Sequence, residues 1–130
     1  LREQVDYVVD QELGSLSLKR WGRAYFLHAM GEYNAGLGRP FACHAGVDTM
    51  FLTPEGDVYP CNSLDAKMGN IEEEPFDVLW RSAEADDVRE RVSRCRHGCW
   101  MVCSARSPMK RHRWRVLGWC LKRKILGPRR

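Results

Sequence analysis

The chain has 130 residues, of which 44% are hydrophobic and 29% are charged, a composition typical of one globular domain that buries about two thirds of its unfolded surface. It contains no run of about 18 or more apolar residues and opens on charged residues instead of an apolar signal core, so we expect no transmembrane helix and a cytoplasmic, reducing compartment. The net charge of +4 is unevenly spread, since 13 of the 21 Lys and Arg residues lie from residue 91 onward, where Asp and Glu are absent.

Two helical pieces are predicted over residues 1 to about 33, with Gly14-Ser15 as the break between them. The apolar residues between positions 21 and 30 make a broad face for a short helix, which favours core packing, with docking against a further domain as the alternative. Residues 34–42 contain Gly and Pro and are predicted to form a loop.

A β-hairpin is predicted next. Residues 47–52 form its first strand, residues 53–57 its Pro-, Gly- and Asp-containing turn, and residues 58–61 its return strand. Because a tight hairpin brings its flanking residues together, we expect Cys43 and Cys61 to face one centre.

Further helices follow the hairpin. A short extended piece at residues 68–71 precedes helices predicted over 75–81 and about 82–94. A final helix is predicted from Met109 to about Leu126, with Ser107-Pro108 at its start. Its predicted buried stripe consists of Trp114, Leu117, Leu121 and Ile125.

Cysteine spacing is the strongest chemical signal in the chain. Five of the six cysteines lie in one stretch, at positions Cys43, Cys61, Cys95, Cys99 and Cys103. The last three are four residues apart, and thiols with this spacing on one helix face are suited to a common metal but poorly suited to a disulfide. We therefore predict an α+β fold in which a small β-hairpin and surrounding helices are built around a cysteine-ligated metal cluster, with a disulfide framework as the weaker interpretation.

The metal favoured by these thiolates is an iron–sulfur cluster. Soft thiolates select zinc, copper(I) or iron–sulfur, and a cubane cluster takes four such ligands. Structural zinc sites usually combine two close ligand pairs, whereas Cys43 and Cys61 are 18 positions apart. Zinc with His44 or His97 as a mixed ligand is the alternative.

Two further motifs accompany these cysteines. Gly56 and Cys61 form a Gly-x4-Cys element, and Gly69-Asn-Ile is followed by a helical segment that contains Leu79-Trp80. With the cysteines, these motifs resemble the carboxy-terminal auxiliary domain of radical S-adenosylmethionine (SAM) enzymes, called SPASM, or twitch in its one-cluster form. The resemblance covers residues 41–106.

That resemblance implies an auxiliary [4Fe-4S] cluster with Cys43 and Cys61 among its ligands. Six cysteines are too few for two four-cysteine clusters, so one cluster is expected, completed by Cys99 and Cys103 with Cys95 as a substitute. The remaining cysteine, Cys120, is expected to be an unligated, packed thiol. The implied role is electron transfer or substrate positioning, with no catalytic residue in this chain.

The chain has no Cys-x3-Cys-x2-Cys loop, the element that binds the SAM-cleaving cluster in that family. We therefore expect it to be the carboxy-terminal part of a radical SAM oxidoreductase or maturase. S-adenosylmethionine would then bind only in a barrel domain of the same polypeptide, which acts on a peptide or small-molecule substrate. The expected divisions are a helical lead-in at residues 1–40 that includes the end of the barrel, the iron–sulfur domain at 41–106, and a basic amphipathic helix at 107–130.

The tail from residue 106 to 130 holds ten Lys and Arg residues together with Trp114 and Trp119. It fits a solvated helix packed by its apolar stripe, a peripheral helix on an anionic membrane surface, or a nucleic-acid patch, which no recognisable nucleic-acid motif supports. The alternative to the iron–sulfur domain is a zinc-binding module whose basic tail contacts nucleic acid or an anionic membrane surface.

Overall fold

A computed structural model of the chain describes residues 2–96 and 99–127. The helices in that part of the chain are α1 (Arg2–Leu13), α2 (Leu18–Glu32), α3 (Phe76–Trp80), α4 (Ala83–Ser93), α5 (Val102–Arg111) and α6 (Arg113–Leu126), and a π-helical turn at Tyr33–Leu37 continues α2. The strands are β1 (Phe51–Leu52), β2 (Asp57–Tyr59) and β3 (Gly69–Asn70). Helices beside a small antiparallel sheet make an α+β fold, as the sequence predicted.

The described residues form two compact units. Residues 2–41 and 99–127, with α1, α2, α5 and α6, make up the first, which we call the helical unit. Residues 42–96, with the sheet, α3 and α4, make up the second, which we call the hairpin unit.

The helical unit is built on the packing of α1 against α2. As predicted, the chain breaks at Gly14-Ser15, because α1 ends at Leu13 and α2 begins at Leu18. Glu12 of α1 forms ion pairs with two arginines of α2, Arg20 at 2.9 Å and Arg23 at 3.0 Å. The hydrogen bonds from Arg23 and, to a smaller extent, Arg20 hold the pKa of the Glu12 carboxyl below its usual value. The core of the unit consists of Val9, Leu13, Ala24, Tyr25, Ala29, Phe41, Trp100, Ala105, Val116 and Cys120. The apolar face of α2 therefore serves core packing.

The single final helix predicted from the sequence is wrong, since α5 and α6 are separate helices that meet at His112. Pro108 lies inside α5 and does not start a helix. A proline at such a position removes one backbone hydrogen bond, but its ring is fully buried here, and that packing offsets the loss.

The face of α6 that packs is also different from the predicted one. Val116 and Cys120 are buried, whereas Trp114, Leu121 and Ile125 are 74%, 47% and 78% exposed. With about 3.6 residues per turn, these two sets lie on opposite sides of the helix. Because α6 carries an apolar stripe on each side, periodicity alone could not decide which stripe faces the core.

The hairpin unit contains a sheet with the strand order β1-β2-β3, antiparallel throughout. Its register pairs Leu52 with Val58 and Val58 with Gly69, so β2 is the central strand and Val58 is fully buried. The predicted hairpin and the extended piece at residues 68–71 are both present, the latter as β3. Its core consists of Val58, Ala66, Met68, Leu79, Ala85 and Val88.

The first strand is much shorter than predicted. Only Phe51–Leu52 is paired as strand, whereas Ala45 and Thr49 form an isolated bridge around a turn. The turn arises at Gly46, whose φ of 74° is a left-handed conformation that bends the chain away from an extended path.

None of the helices in the described ranges has the length and apolar character that crossing a lipid bilayer requires.

Candidate functional site

The turn that precedes Cys61 is held by the side chain of Asn70, which is 8% exposed. Its Nδ2 donates to the carbonyl oxygen of Glu55 at 3.0 Å and to Asp57 Oδ1 at 2.7 Å, and its Oδ1 accepts from the backbone N–H of Glu72 at 2.7 Å. Gly56 has a φ of 84°, and a Cβ atom built on it would lie 2.9 Å from Asn70 Oδ1. Gly56 of the Gly-x4-Cys motif and Asn70 of the Gly-Asn-Ile motif therefore interlock by direct contact. A residue larger than glycine at position 56 would collide with the Asn70 side chain.

An ion pair supports the same turn. Lys67 Nζ lies 2.6 Å from Asp57 Oδ1. Hydrogen bonds from Lys67 and then Asn70 lower the pKa of Asp57, and the same pair raises the pKa of Lys67. The turn end of the hairpin is thus tied to the segment that leads into β3.

Close packing joins β3 to α3. A Cβ atom on Gly69 would lie 2.7 Å from the side chain of Leu79, which is fully buried. Only a glycine allows this approach, so the Gly-Asn-Ile and Leu-Trp motifs are also packed against each other.

The loop that follows Cys43 is anchored by Arg89 of α4. Arg89 Nε donates to the carbonyl oxygen of Gly46 at 2.8 Å, and its Nη2 donates to the carbonyl oxygen of Trp80 at 2.5 Å. Its guanidinium also lies over the Trp80 ring, 4.8 Å from the centroid. These contacts fix the path of the Cys43 loop against α3 and α4.

The same loop contacts the end of the hairpin. A Cβ atom on Gly46 would lie 3.1 Å from Pro60 Cβ, and Pro60 directly precedes Cys61. Cys43 lies three residues before Gly46 in sequence. Cys43 and Cys61 are both half-buried. The hairpin unit therefore holds the loop that follows Cys43 against the residue that precedes Cys61, whereas a shared centre for the two thiols stays a prediction.

Sequence reasoning did not single out Arg89 within the highly charged sequence of α4. The signal was its position four residues after Ala85, on the side of α4 that carries the buried residues. An arginine at that position covers the core with its stem and brings its guanidinium to backbone carbonyls.

The three later cysteines do not share a helix face, and that prediction is wrong. Helix α4 ends at Ser93 and α5 begins at Val102, so Cys95 and Cys99 lie outside helices and only Cys103 is helical. Half-buried Cys95 belongs to the hairpin unit, whereas half-buried Cys99 and exposed Cys103 belong to the helical unit. His97, the candidate mixed zinc ligand, lies outside the described residues; His44 is paired with Asp48 at 3.8 Å.

The segment between Cys99 and Cys103 is anchored by Trp100. Its Nε1 donates to the carbonyl oxygen of Phe26 at 3.0 Å, and its ring stacks on the Phe26 ring with centroids 5.8 Å apart. Trp100 is a core residue of the helical unit, and it fixes the backbone between Cys99 and Cys103 to α2.

Cys120 is buried in the helical core, with its thiol 3.5 Å from the carbonyl oxygen of Trp21. Burial raises the pKa of this thiol to about 11. A group held so strongly as a neutral thiol is a packing residue, in agreement with the expectation that Cys120 is packed in the core.

The donor chemistry fits an iron–sulfur cluster, because Cys43 and Cys61 are half-buried free thiols on neighbouring, well-anchored segments. Within residues 2–96 and 99–127, however, no three or more Cys, His, Asp or Glu side chains gather in an arrangement that could hold a metal ion. The four-thiolate set of Cys43, Cys61, Cys99 and Cys103 therefore stays a prediction.

Comparison with known proteins identifies the segment that carries these motifs. A family model described as an iron–sulfur cluster-binding domain, SPASM, matches residues 43–104. An AdoMet-dependent heme synthase of Methanosarcina barkeri is 40% identical to the chain over 42 residues, which cover 32% of this chain and only 12% of that protein. No solved structure matches the chain. Residues 43–104, just under half of the chain, therefore match the SPASM family of iron–sulfur cluster-binding domains, the family that the cysteine and glycine motifs resemble.

Proposed function

We propose that this chain is the cluster-binding, carboxy-terminal part of a radical SAM oxidoreductase or maturase and holds one [4Fe-4S] cluster. Its ligands are Cys43, Cys61, Cys99 and Cys103, with Cys95 as the substitute. The observation that carries the proposal is the packing of Gly46 on Pro60, which supports a shared position for the thiols of Cys43 and Cys61 in the family-matched segment.

The proposed role of this domain is electron transfer or substrate positioning next to a SAM-binding barrel of the same polypeptide. When bound, an iron–sulfur cluster supplies one-electron redox chemistry, with a potential set by solvent exposure and by hydrogen bonds to sulfur. This chain's own residues provide the thiolates, and Arg89 and Trp100 anchor the segments that carry Cys43 and Cys99. The substrate is then a peptide or a small molecule bound mainly by the barrel, and the compartment is the cytoplasm.

Anaerobic purification and metal analysis test the cluster. We expect brown protein that absorbs near about 400 nm and contains about four irons and four sulfides per chain. Cys61→Ala should lose most of the iron, whereas the matched variant Cys120→Ala should keep it. Colourless protein with one zinc per chain would support the zinc-binding module instead, and about eight irons would contradict a single cluster.

The assignment within the later trio needs its own comparison. Cys99→Ala and Cys103→Ala should each lower the iron content, whereas Cys95→Ala should leave it unchanged. If Cys95→Ala loses iron and either Cys99→Ala or Cys103→Ala keeps it, Cys95 is the ligand in place of the cysteine whose variant keeps its iron.

We also propose that α6 lies on an anionic membrane surface. The exposed stripe of α6, which consists of Trp114, Leu121 and Ile125, points away from the helical core. Arg113 and Lys124 flank this stripe on one side and Lys122 flanks it on the other, given about 100° of rotation per residue. Apolar side chains between two rows of cations are typical of helices that lie at a lipid interface.

Charge favours lipid over another protein as the occupant of this stripe. Helix α6 itself carries five cations and no Asp or Glu, so the surface beside the stripe complements an anionic bilayer. Each Lys or Arg near such a surface contributes about 1 kcal/mol to binding, and a Trp or Ile buried in the interface adds about 1.5–3 kcal/mol.

Vesicle sedimentation tests this contact. We expect the chain to bind vesicles that contain about 30% phosphatidylglycerol and to dissociate from them in high salt. It should not bind vesicles of phosphatidylcholine alone. Replacing Trp114 and Ile125 by Ser should weaken binding at least about tenfold. Leu16→Ser is the matched control, because Leu16 is 87% exposed and lies outside α6. Equal binding to neutral vesicles, or an equal loss in the control, would exclude the anionic membrane and leave the stripe as a protein-docking face.

A further inference from the structure

A cavity of about 720 Å³ lies inside the helical unit, between α1, α2 and α6. Its volume is in the range of small-molecule binding sites. None of the described cysteines lines it, so it is separate from the thiol segments of the proposed cluster.

The floor of the cavity is aromatic. The rings of His28 and Trp119 stack with centroids 4.4 Å apart and planes 23° apart, and Tyr25 meets Trp119 edge-on at 5.4 Å. Burial lowers the pKa of His28, which keeps its imidazole neutral near pH 7. The floor therefore presents uncharged planar surfaces.

The walls of the cavity carry an excess of cations. Its charged lining consists of Arg2, Arg115, Lys122, Arg123, Asp6 and Glu32. Arg123 is neutralised by Asp6 at 2.9 Å and by Asp10 at 3.0 Å. Within the described part of the chain, neither Arg2 nor Lys122 has a carboxylate at ion-pair distance, so positive charge remains at the wall.

Apolar residues stand at the opening. Leu37 of the π-helical turn and Leu126 at the end of α6 line the cavity and are both largely exposed. Side chains of this kind cover the apolar body of a ligand, whereas the few charged groups fix its orientation.

We propose that this cavity binds a small organic anion with a planar apolar body, such as an aromatic carboxylate. The ring of the ligand packs on the Trp119 face, and its anionic group lies at Lys122 and Arg2. This site is independent of the proposed cluster, because it needs neither the cysteines nor the hairpin unit.

Calorimetric titration with matched probes tests the site. We expect 2-naphthoate and indole-3-acetate to bind with submillimolar Kd, and 2-naphthalenemethanol, which has the same ring as naphthoate without the charge, to bind at least about tenfold more weakly. Lys122→Gln should weaken naphthoate binding about fivefold and leave naphthalenemethanol binding unchanged. Lys19→Gln is the control, because Lys19 is an exposed cation of α2 outside the cavity lining.

Each contrary outcome is decisive. Equal affinity for the charged and uncharged naphthalenes would remove the anion selectivity. An equal effect of Lys19→Gln would reduce the interaction to general charge attraction. If neither carboxylate binds with a Kd below about 1 mM, the cavity is not a binding site for such ligands. The iron content of the protein should be the same in Lys122→Gln and wild type, which separates this result from that of the cluster.

Discussion

Arg89 Nε donates a hydrogen bond to the carbonyl oxygen of Gly46 across 43 positions of sequence, at a distance of 2.8 Å. This contact ties α4 to the loop that follows Cys43, and the same guanidinium bonds the end of α3 through the carbonyl oxygen of Trp80. One side chain thus determines where a predicted ligand-bearing loop runs.

The first prediction concerns that side chain. Arg89→Lys should lower the free energy of unfolding by about 2 kcal/mol, because an ammonium cannot reproduce the forked contacts with Gly46 and Trp80. Urea unfolding measures the loss, and iron content after anaerobic reconstitution should fall with it. Arg91→Lys, at an exposed position of the same helix, should change stability by less than about 0.5 kcal/mol. Equal effects of the two substitutions would show that the anchor is unimportant.

The second prediction concerns the hairpin turn. Gly56→Ala should destabilise the protein by about 1–3 kcal/mol, because its φ of 84° strains an L-residue and the new Cβ meets Asn70 Oδ1 at 2.9 Å. Gly22→Ala, in the middle of α2 with nothing within 4 Å of the new Cβ, should instead stabilise it by about 1 kcal/mol. Denaturant midpoints measure both changes, and a neutral result at Gly56 would contradict the interlock with Asn70.

The third prediction is a pH dependence from His28. Burial, only partly opposed by Glu32, lowers its pKa below the ordinary value of 6.5. The unfolded chain therefore takes up the proton more readily than the folded chain, so this stabilisation is present above about pH 6.5 and is lost as the pH falls through the lowered pKa. Arg123 and Arg2 act in the same direction as burial, whereas Asp6 opposes it.

His28→Phe tests this dependence, because a phenyl ring keeps the stack on Trp119 and cannot titrate. Between about pH 7 and pH 5, the wild-type melting temperature should fall more steeply than that of the variant. Parallel curves would show that His28 does not contribute to the acid sensitivity.

The fourth prediction separates the packed thiol from the exposed one. In cluster-free protein at about pH 8, iodoacetamide should modify Cys103 rapidly and Cys120 only after unfolding, because burial raises the pKa of Cys120 to about 11. Mass spectrometry of the labelled peptides measures both rates. Loading the cluster should protect Cys103, and an unprotected Cys103 would remove it from the ligand set.

Much of the hairpin unit could be predicted from the sequence, because its turn and strands depend on neighbouring residues. The Pro-Glu-Gly-Asp turn and the return strand before Cys61 follow from local backbone preferences, as does the break at Gly14-Ser15 in the helical unit. The cysteine spacing and the glycine motifs likewise indicated the iron–sulfur family that the family model matches.

Tertiary structure decided the features that depend on contacts between distant residues. Helix α6 has apolar residues on two sides, and only its packing against α2 determined that Val116 and Cys120 are buried while Trp114 and Ile125 are exposed. Pro108 remains inside α5 for the same reason, since its ring is buried in the core.

The candidate site divides in the same way. The candidate ligands could be recognised from the sequence, because the ability of a cysteine thiol to bind a metal does not depend on the fold. The anchoring of the Cys43 loop by Arg89 was not, since it joins residues 43 positions apart. Local backbone preferences act over a few residues and are written in the sequence as patterns, whereas the choice of buried face and long-range hydrogen bond is made only when the whole chain packs.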